Sequence, residues 1–108
     1  MDTSIEKGKP AAIVAYLTIV GTIIAYFMNN ELKNGFASFH IRQALGTHIT
    51  YFLLGAFVSI FDSWMVTYAF WIFIIILWGY GLMTAIQGEK KEAPLLGNQF
   101  QKWFSTVN

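Results

Sequence analysis

Cysteine is absent from this chain of 108 residues, and charge is scarce, since only 12% of the residues are Asp, Glu, Lys or Arg. The missing cysteine excludes disulfides, thiolate nucleophiles and cysteine-based metal sites. A soluble domain carries about a quarter charged residues, so this chain lacks the charge to cover a globule in water. We therefore predict an integral membrane protein that forms one domain over residues 1–108.

The patterns that mark common enzymes and nucleic-acid-binding proteins are also missing. The sequence has no H-E-x-x-H, no P-loop, no G-x-S-x-G and no paired carboxylates. Its formal net charge is +1 and no basic run is interleaved with aromatic residues, so nucleic acid is not an expected partner. His40 and His48 have no nearby carboxylate, which disfavours a metal site. We predict a protein that is not an enzyme and holds no cofactor.

Apolar sequence is what the chain has in abundance, at 56% hydrophobic and 18% aromatic residues. A membrane-spanning helix needs about 20 apolar residues, and three segments approach or exceed that length. The fold class that follows is an all-α membrane protein with three transmembrane helices. The predicted helices cover about 10–28, 40–61 and 64–87.

The first of these segments carries small residues along one face, at steps of four, three, four and three. In lipid there is little hydrophobic drive between helices, so close approach at small residues supplies the packing. We expect this face to contact another helix. Its members are Ala11, Ala15, Thr18, Thr22 and Ala25.

The connections between the segments are short. Ser38 is expected to cap the second helix, and either Asp62 or Ser63 the third, by accepting hydrogen bonds from free N–H groups. So tight a turn at 62–63 makes the second and third helices an antiparallel hairpin. The polar stretch 1–9 lacks the start of a secretory signal, and we expect a retained tail that is flexible or lies on the surface.

The last part of the chain has its own periodic pattern. Phe100, Trp103, Phe104 and Val107 follow the i, i+3, i+4, i+7 spacing of one helical face. This predicts a C-terminal amphipathic helix over about 97–106 that lies in the membrane plane or caps the bundle.

The distribution of Lys and Arg predicts the orientation of the three spans. The 29–42 connection and the C-terminus share one side, and they carry Lys33, Arg42, Lys90, Lys91 and Lys102. The other side carries only Lys7 and Lys9. We therefore expect the C-terminus in the cytoplasm and the N-terminus outside.

A polar stripe opens the second predicted helix. His40, Gln43, Thr47 and Tyr51 fall on one side of a helical wheel, and His48 lies at the margin of that stripe. An ionisable residue inside a membrane marks a functional site by default. His48 is therefore either part of a proton or substrate path, or a neutral histidine bonded to Thr or a backbone carbonyl across a helix contact.

Arg42 begins the same segment and also allows two interpretations. It is a positive-inside anchor with a snorkelled head group, or a fixed charge that pairs with helix-end carbonyls, a lipid phosphate or a partner. Together with the stripe it completes the set predicted to contact a partner or another helix: His40, Arg42, Gln43, Thr47, His48 and Tyr51.

Two motifs lie at either end of the pair formed by the last two predicted helices. The first contains Phe36, Phe39, His40, Arg42, Gln43 and Ala44, and the second contains Gly88, Glu89, Lys90, Pro94, Leu95, Gly97, Phe100 and Trp103. With these motifs, and over most of its length from Gly8 to Phe104, the chain resembles a family of small bacterial membrane proteins of unknown function, often described as similar to the channel component of the chloroplast inner-envelope import (Tic) machinery. The resemblance implies a bacterial inner-membrane protein with its Arg-bearing connection on the inner side.

Three functions remain open from the sequence. The first is a non-enzymatic accessory or scaffolding subunit of a larger inner-membrane complex, linked to protein translocation or insertion, with the lipid bilayer and other membrane subunits as partners. The second is a homo-oligomeric pore or small transporter that uses Thr47, His48 and Tyr51. The third is a lipid-acting enzyme that needs His40 or His48 as its acid–base group.

Overall fold

The computed structural model describes residues 3–107, and over this range the chain is all-helical. This confirms the predicted fold class at the level of secondary structure. The five helices are α1 (Thr3–Leu17), α2 (Ile19–Leu32), α3 (Gly35–Val58), α4 (Trp64–Gln87) and α5 (Gly97–Trp103). Residues 3–9 of the expected tail belong to α1, and its first two residues lie outside the described range.

The predicted continuous helix over 10–28 is wrong, because the chain reverses at Thr18. Thr18 has extended backbone (φ −156°, ψ 176°), and its hydroxyl accepts a hydrogen bond from the Gly21 N–H at 3.1 Å. The Thr22 hydroxyl donates to the carbonyl of Ala15 at 2.7 Å and so satisfies a group freed at the end of α1. Two threonine hydroxyls thus replace helical backbone bonds, which is why threonine can end a helix in an apolar run.

The small residues of this segment do face other helices, but as the two sides of a hairpin. Ala11 and Ala15 of α1, and Thr22 and Ala25 of α2, are buried. A Cβ on Gly21 would overlap the carbonyl oxygen of Val14. Small side chains let α1 and α2 approach closely, as expected for helices that pack without a hydrophobic drive.

Helix α3 begins five residues before the predicted start at 40 and ends before 61. Its N-cap is Asn34, whose side chain accepts from the Ala37 N–H at 3.0 Å, and not Ser38 as expected. The side chain of Asn29, buried at the end of α2, accepts from the Asn34 N–H and donates to the Ser38 hydroxyl, both at 2.8 Å. This amide links the end of α2 to the first turn of α3. Helix α3 therefore begins earlier in the chain than predicted.

Helix α4 has the predicted bounds, and the cap at Ser63 is as expected. It is the one helix among the described residues that is long and apolar enough to cross a membrane. Three spans are not confirmed, since α1 and α2 have 15 and 14 residues and a span needs about 20. Helix α5 is three residues shorter than predicted and gives way to a turn after Trp103.

The helices form two regions, which we call the base and the tip. The base contains α1, α2, α5, the first half of α3 and the second half of α4, with most of the core around Ala12, Tyr16 and Ile41. The tip is the rest of the α3–α4 hairpin, residues 49–76, whose small core is Val58, Phe70 and Ile74. The molecule is 49 Å long and about 23 Å across.

The N-terminal and C-terminal parts of the chain lie together at the base. A Cβ on Gly88, just after α4, would stand 3.2 Å from Ile5 and 3.7 Å from Lys9. The expectation that the two ends lie on opposite sides is therefore wrong. Its cause is the reversal at Thr18, which brings the chain back to its starting side before α3 begins.

Two glycines of α4 provide a matched test of this packing. A Cβ on Gly81 would overlap the fully buried ring of Tyr16, whereas one on Gly79 would meet no heavy atom of the described residues within 4 Å beyond its chain neighbours and the nearby backbone of α4. We expect Gly81→Ala to lower the Tm in detergent, at a cost of about 1–3 kcal/mol. Gly79→Ala should leave Tm unchanged or slightly higher, because alanine favours helix. Equal effects of the two changes would contradict the packing of α1 on α4.

Candidate functional site

The polar face of α3 is the candidate site, and His40 lies at its centre. The imidazole is fully buried, with Nδ1 at 2.7 Å from the Tyr16 hydroxyl and Nε2 at 2.7 Å from the carbonyl of Glu89. A carbonyl only accepts, so Nε2 carries the proton and the Tyr16 hydroxyl donates to Nδ1. Phe36 and Phe39 pack edge-on against the ring. His40 thus links α1, α3 and the segment that follows α4.

Gln43, one turn further along α3, holds the segment before α5. Its Nε2 donates to the carbonyl of Gly97 at 2.7 Å, and its Oε1 accepts from the N–H of Ala93 at 3.0 Å. The amide is buried. One side chain therefore bonds the buried Ala93 N–H of the 88–96 connection and the carbonyl of Gly97, the first residue of α5.

Arg42 binds the end of the chain. Its Nε donates to the carbonyl of Val107 at 2.8 Å, and its two Nη atoms lie at 3.4 Å from Gln101 Oε1 and the carbonyl of Ser105. Gln101 in turn donates to the carbonyl of Phe39 at 2.9 Å. Of the interpretations open for Arg42, this geometry corresponds to a charge paired with backbone carbonyls.

Thr47 and Tyr51 continue the face toward the tip. The Thr47 hydroxyl donates to the carbonyl of Gln43 in its own helix at 2.9 Å, and the Tyr51 ring packs against Phe70 and Trp71 at centroid distances of 5.9 Å. A Cβ on Gly46, the residue before Thr47, would overlap the ring of Phe100. This glycine allows α5 to lie against α3.

His48 is half-buried and contacts α2. Its Nδ1 lies 2.9 Å from the hydroxyl of Thr22, which itself donates to Ala15. The imidazole N–H is therefore the donor in this bond. The arrangement matches the interpretation of His48 as a neutral histidine bonded to a threonine across a helix contact. Beside it lies a groove of about 350 Å³, whose lining includes Leu17, Ile19 and Trp71.

Two residues of this network were not singled out in the sequence. Tyr16 and Trp78 lie in apolar segments, yet each makes a hydrogen bond between helices, Tyr16 with His40 and Trp78 by donating to the carbonyl of Tyr16 at 2.6 Å. The signal available in the sequence was the presence of polar atoms inside an apolar segment. Their hydrogen-bond partners are distant in the sequence and could be identified only once the reversal at Thr18 was known.

The charged side chains are distributed very unevenly. All seven Lys and Arg residues lie at the base, and within the described range Asp62 is the one charged residue at the tip. At the base, the Glu89 carboxylate lies 2.8 Å from the Lys91 ammonium, and this hydrogen bond raises the pKa of Lys91. Residues 3–107 contain no group of three His, Asp or Glu side chains able to hold a metal ion.

The Gln43 contacts give a second test. Gln43→Leu keeps the bulk but leaves the buried Ala93 N–H without this partner, at about 1–3 kcal/mol, and also removes the side-chain bond to the Gly97 carbonyl. The 88–97 segment should open more often, and trypsin should cleave faster after Lys90 and Lys91 in detergent. Gln99→Leu, at a half-buried position on α5, is the control and should be cleaved at the wild-type rate. Equal rates for both variants would show that Gln43 does not hold this segment.

One protein-family model matches the chain, over residues 9–100, and its description is the magnetosome magnetite crystal formation protein family, MamF/MmsF. The match includes α2, α3 and α4 completely and most of α1. No curated protein and no solved structure matches the chain. The expected likeness to a small bacterial membrane family is supported, but the likeness to the chloroplast import component is not.

Proposed function

We propose a role from one premise: this chain belongs to the MamF/MmsF family, the magnetosome magnetite crystal formation proteins. The chain is then a small, non-enzymatic membrane protein that serves as an accessory or scaffolding subunit where magnetite crystals form. Its membrane is the one that bounds the magnetosome. It acts on crystal formation through the assembly it joins.

The observation that carries this proposal is that the polar face of α3 bonds to other parts of the same chain. The side chains of His40, Gln43 and Arg42 are bonded to the chain's own backbone and side chains. Such groups position helices and are not available to a substrate in this arrangement. An internal polar network that fixes a rigid shape is what a scaffold needs.

The surface of the molecule supports a membrane location. Large apolar side chains are exposed along the whole length of α4, from Trp64 at 78% exposure to Ile86 at 48%. Contiguous apolar surface of this extent is rare on soluble monomers. Lipid chains and helices of other membrane subunits are the partners that fit it.

The clustering of positive charge supports an orientation. Cytoplasmic ends of membrane helices carry an excess of Lys and Arg, and here the base carries all seven such residues. We place the base, with the C-terminal segment, in the cytoplasm. The start of α1 lies on the same side.

The alternatives from the sequence have less support. Thr47 and Tyr51 pack within one chain, and His48 bonds to Thr22, so no observation favours a pore lined by these residues. The link to protein translocation rested on the likeness to the chloroplast import component, which the family match does not include. We therefore propose neither the pore nor the link to translocation.

Deletion of the gene in a magnetite-forming cell tests the proposal. We expect crystals of altered size or shape, measured by electron microscopy, and recovery of the normal distribution when the wild-type chain is supplied. His48→Ala should also restore it, because a scaffold needs no titrating group at this position. Gly81→Leu, which drives a larger side chain into the Tyr16 ring, should not.

Two results would count against the proposal. Crystals unaffected by the deletion would remove the role in crystal formation. Loss of rescue by His48→Ala, with the protein present at wild-type levels in the membrane, would indicate chemistry at the imidazole in place of a scaffold. Western blots of the membrane fraction supply the level control.

A further inference from the structure

We propose that the protein is a wedge in the bilayer that favours curved membrane, with the base in the convex leaflet. The inference goes beyond a role in crystal formation but rests on the membrane location proposed above. The partner it names is a lipid surface of defined curvature. The α1–α2 hairpin supplies the asymmetry.

The first step is the depth that this hairpin reaches. Trp78 donates to the carbonyl of Tyr16, so the end of α1 lies beside Trp78. Gln87, the last residue of α4, lies nine positions after Trp78, which is about 14 Å at a rise of 1.5 Å per residue. The hydrocarbon core of a bilayer is about 30 Å thick. The turn at Thr18 therefore lies near the middle of the membrane when α4 spans it.

The second step is that the hairpin lies in hydrocarbon and not in water above the membrane. The outer face of α2 exposes Val20, Ile23, Ile24 and Phe27, each by 50% or more. Charged residues are confined to the ends of the hairpin away from the turn, with Lys9 on α1 and Glu31 on α2. An apolar outer face with a polar open end suits a hairpin inserted from one side.

The third step is the cross-section of the other leaflet. Beyond the turn at Thr18, the helices that residues 3–107 provide are the outer parts of α3 and α4. Their outward-facing side chains are mostly apolar, with Leu53 70% and Met65 81% exposed, and Ile60 in the turn between them is 74% exposed. The groove beside His48 is lined in part by Thr18 and lies where the wide half of the molecule, the base, meets the narrow half, the tip.

The two leaflets therefore meet very different areas of protein. Four helices and α5 occupy one, and two helices occupy the other. With a helix diameter of about 10 Å, the base takes up roughly twice the area of the tip. Such a shape fits a bilayer that curves away from the base, as other one-sided insertions are sensitive to curvature.

A wedge acts on the membrane only if it is stiff. The hairpin is fixed to α3 by the Tyr16–His40 and Thr22–His48 hydrogen bonds and to α4 by the Trp78–Tyr16 bond. These bonds lie in a medium of low dielectric, where breaking them is costly. The base therefore keeps its width in the membrane.

Orientation in vesicles of two sizes tests the wedge, and the absence of native cysteine makes labelling specific. The full-length chain is prepared as Lys91→Cys, exposed at the base, and as Asp62→Cys, exposed at the tip. Each is reconstituted into small sonicated vesicles and large extruded vesicles of one lipid composition. A membrane-impermeant thiol reagent then measures which end faces outward.

We expect labelling of Lys91→Cys to rise, and that of Asp62→Cys to fall, on going from large to small vesicles. The two variants are each other's control, because a general change in access would move both in the same direction. Labelling independent of vesicle size would overturn the wedge and leave the proposed function intact. Failure of the protein to float with vesicles would overturn the membrane location itself, and the wedge with it.

Discussion

The structure depends on one chain of hydrogen bonds, from Tyr16 through the imidazole of His40 to the carbonyl of Glu89. It joins α1, α3 and the segment after α4 through a buried imidazole. Removing the imidazole would leave the buried Tyr16 hydroxyl without this partner, at about 1–3 kcal/mol, and would also remove the part-buried bond to the Glu89 carbonyl. Because both nitrogens are engaged, the ring also fixes the rotation of α3. Gln43 and Arg42, one helical turn or less away, then meet the segment before α5 and the end of the chain.

The same constraint explains why so many small residues are needed. The Tyr16 ring, which bonds His40, lies against Gly81 of α4, and the Phe100 ring of α5 lies against Gly46 of α3, so a Cβ at either glycine would overlap a ring. Gly79, two residues from Gly81, meets no such neighbour within the described residues. The base is thus a set of close helix contacts around a polar centre, whereas the tip is a simple hairpin held by aromatic packing between Tyr51 and Phe70.

Much of this could be predicted from the sequence, and the failures have one origin. The bounds of α4, the α3–α4 hairpin and the polar face of α3 follow from apolar length and helical spacing, which are local properties. Thr18 looked like an ordinary small residue in an apolar run, since threonine is common within membrane helices. Its role as a cap depends on Thr22, which bonds both Ala15 and His48, and the contact with α3 is not local. Two predictions were wrong because the role of Thr18 was missed: the single long first helix, and the placement of the two chain ends on opposite sides.

The central claim is that residues 10–28 form part of a hairpin and not a membrane-spanning helix. The most direct test is the distance between spin labels at Lys7→Cys and Lys33→Cys in the reconstituted protein, measured by pulsed electron paramagnetic resonance. Both positions lie at the base, so a short distance is expected. A continuous helix would separate their Cα atoms by about 39 Å, from 1.5 Å per residue. A distance near that value would contradict the hairpin, and with it the base, the wedge and the shared side of the two ends.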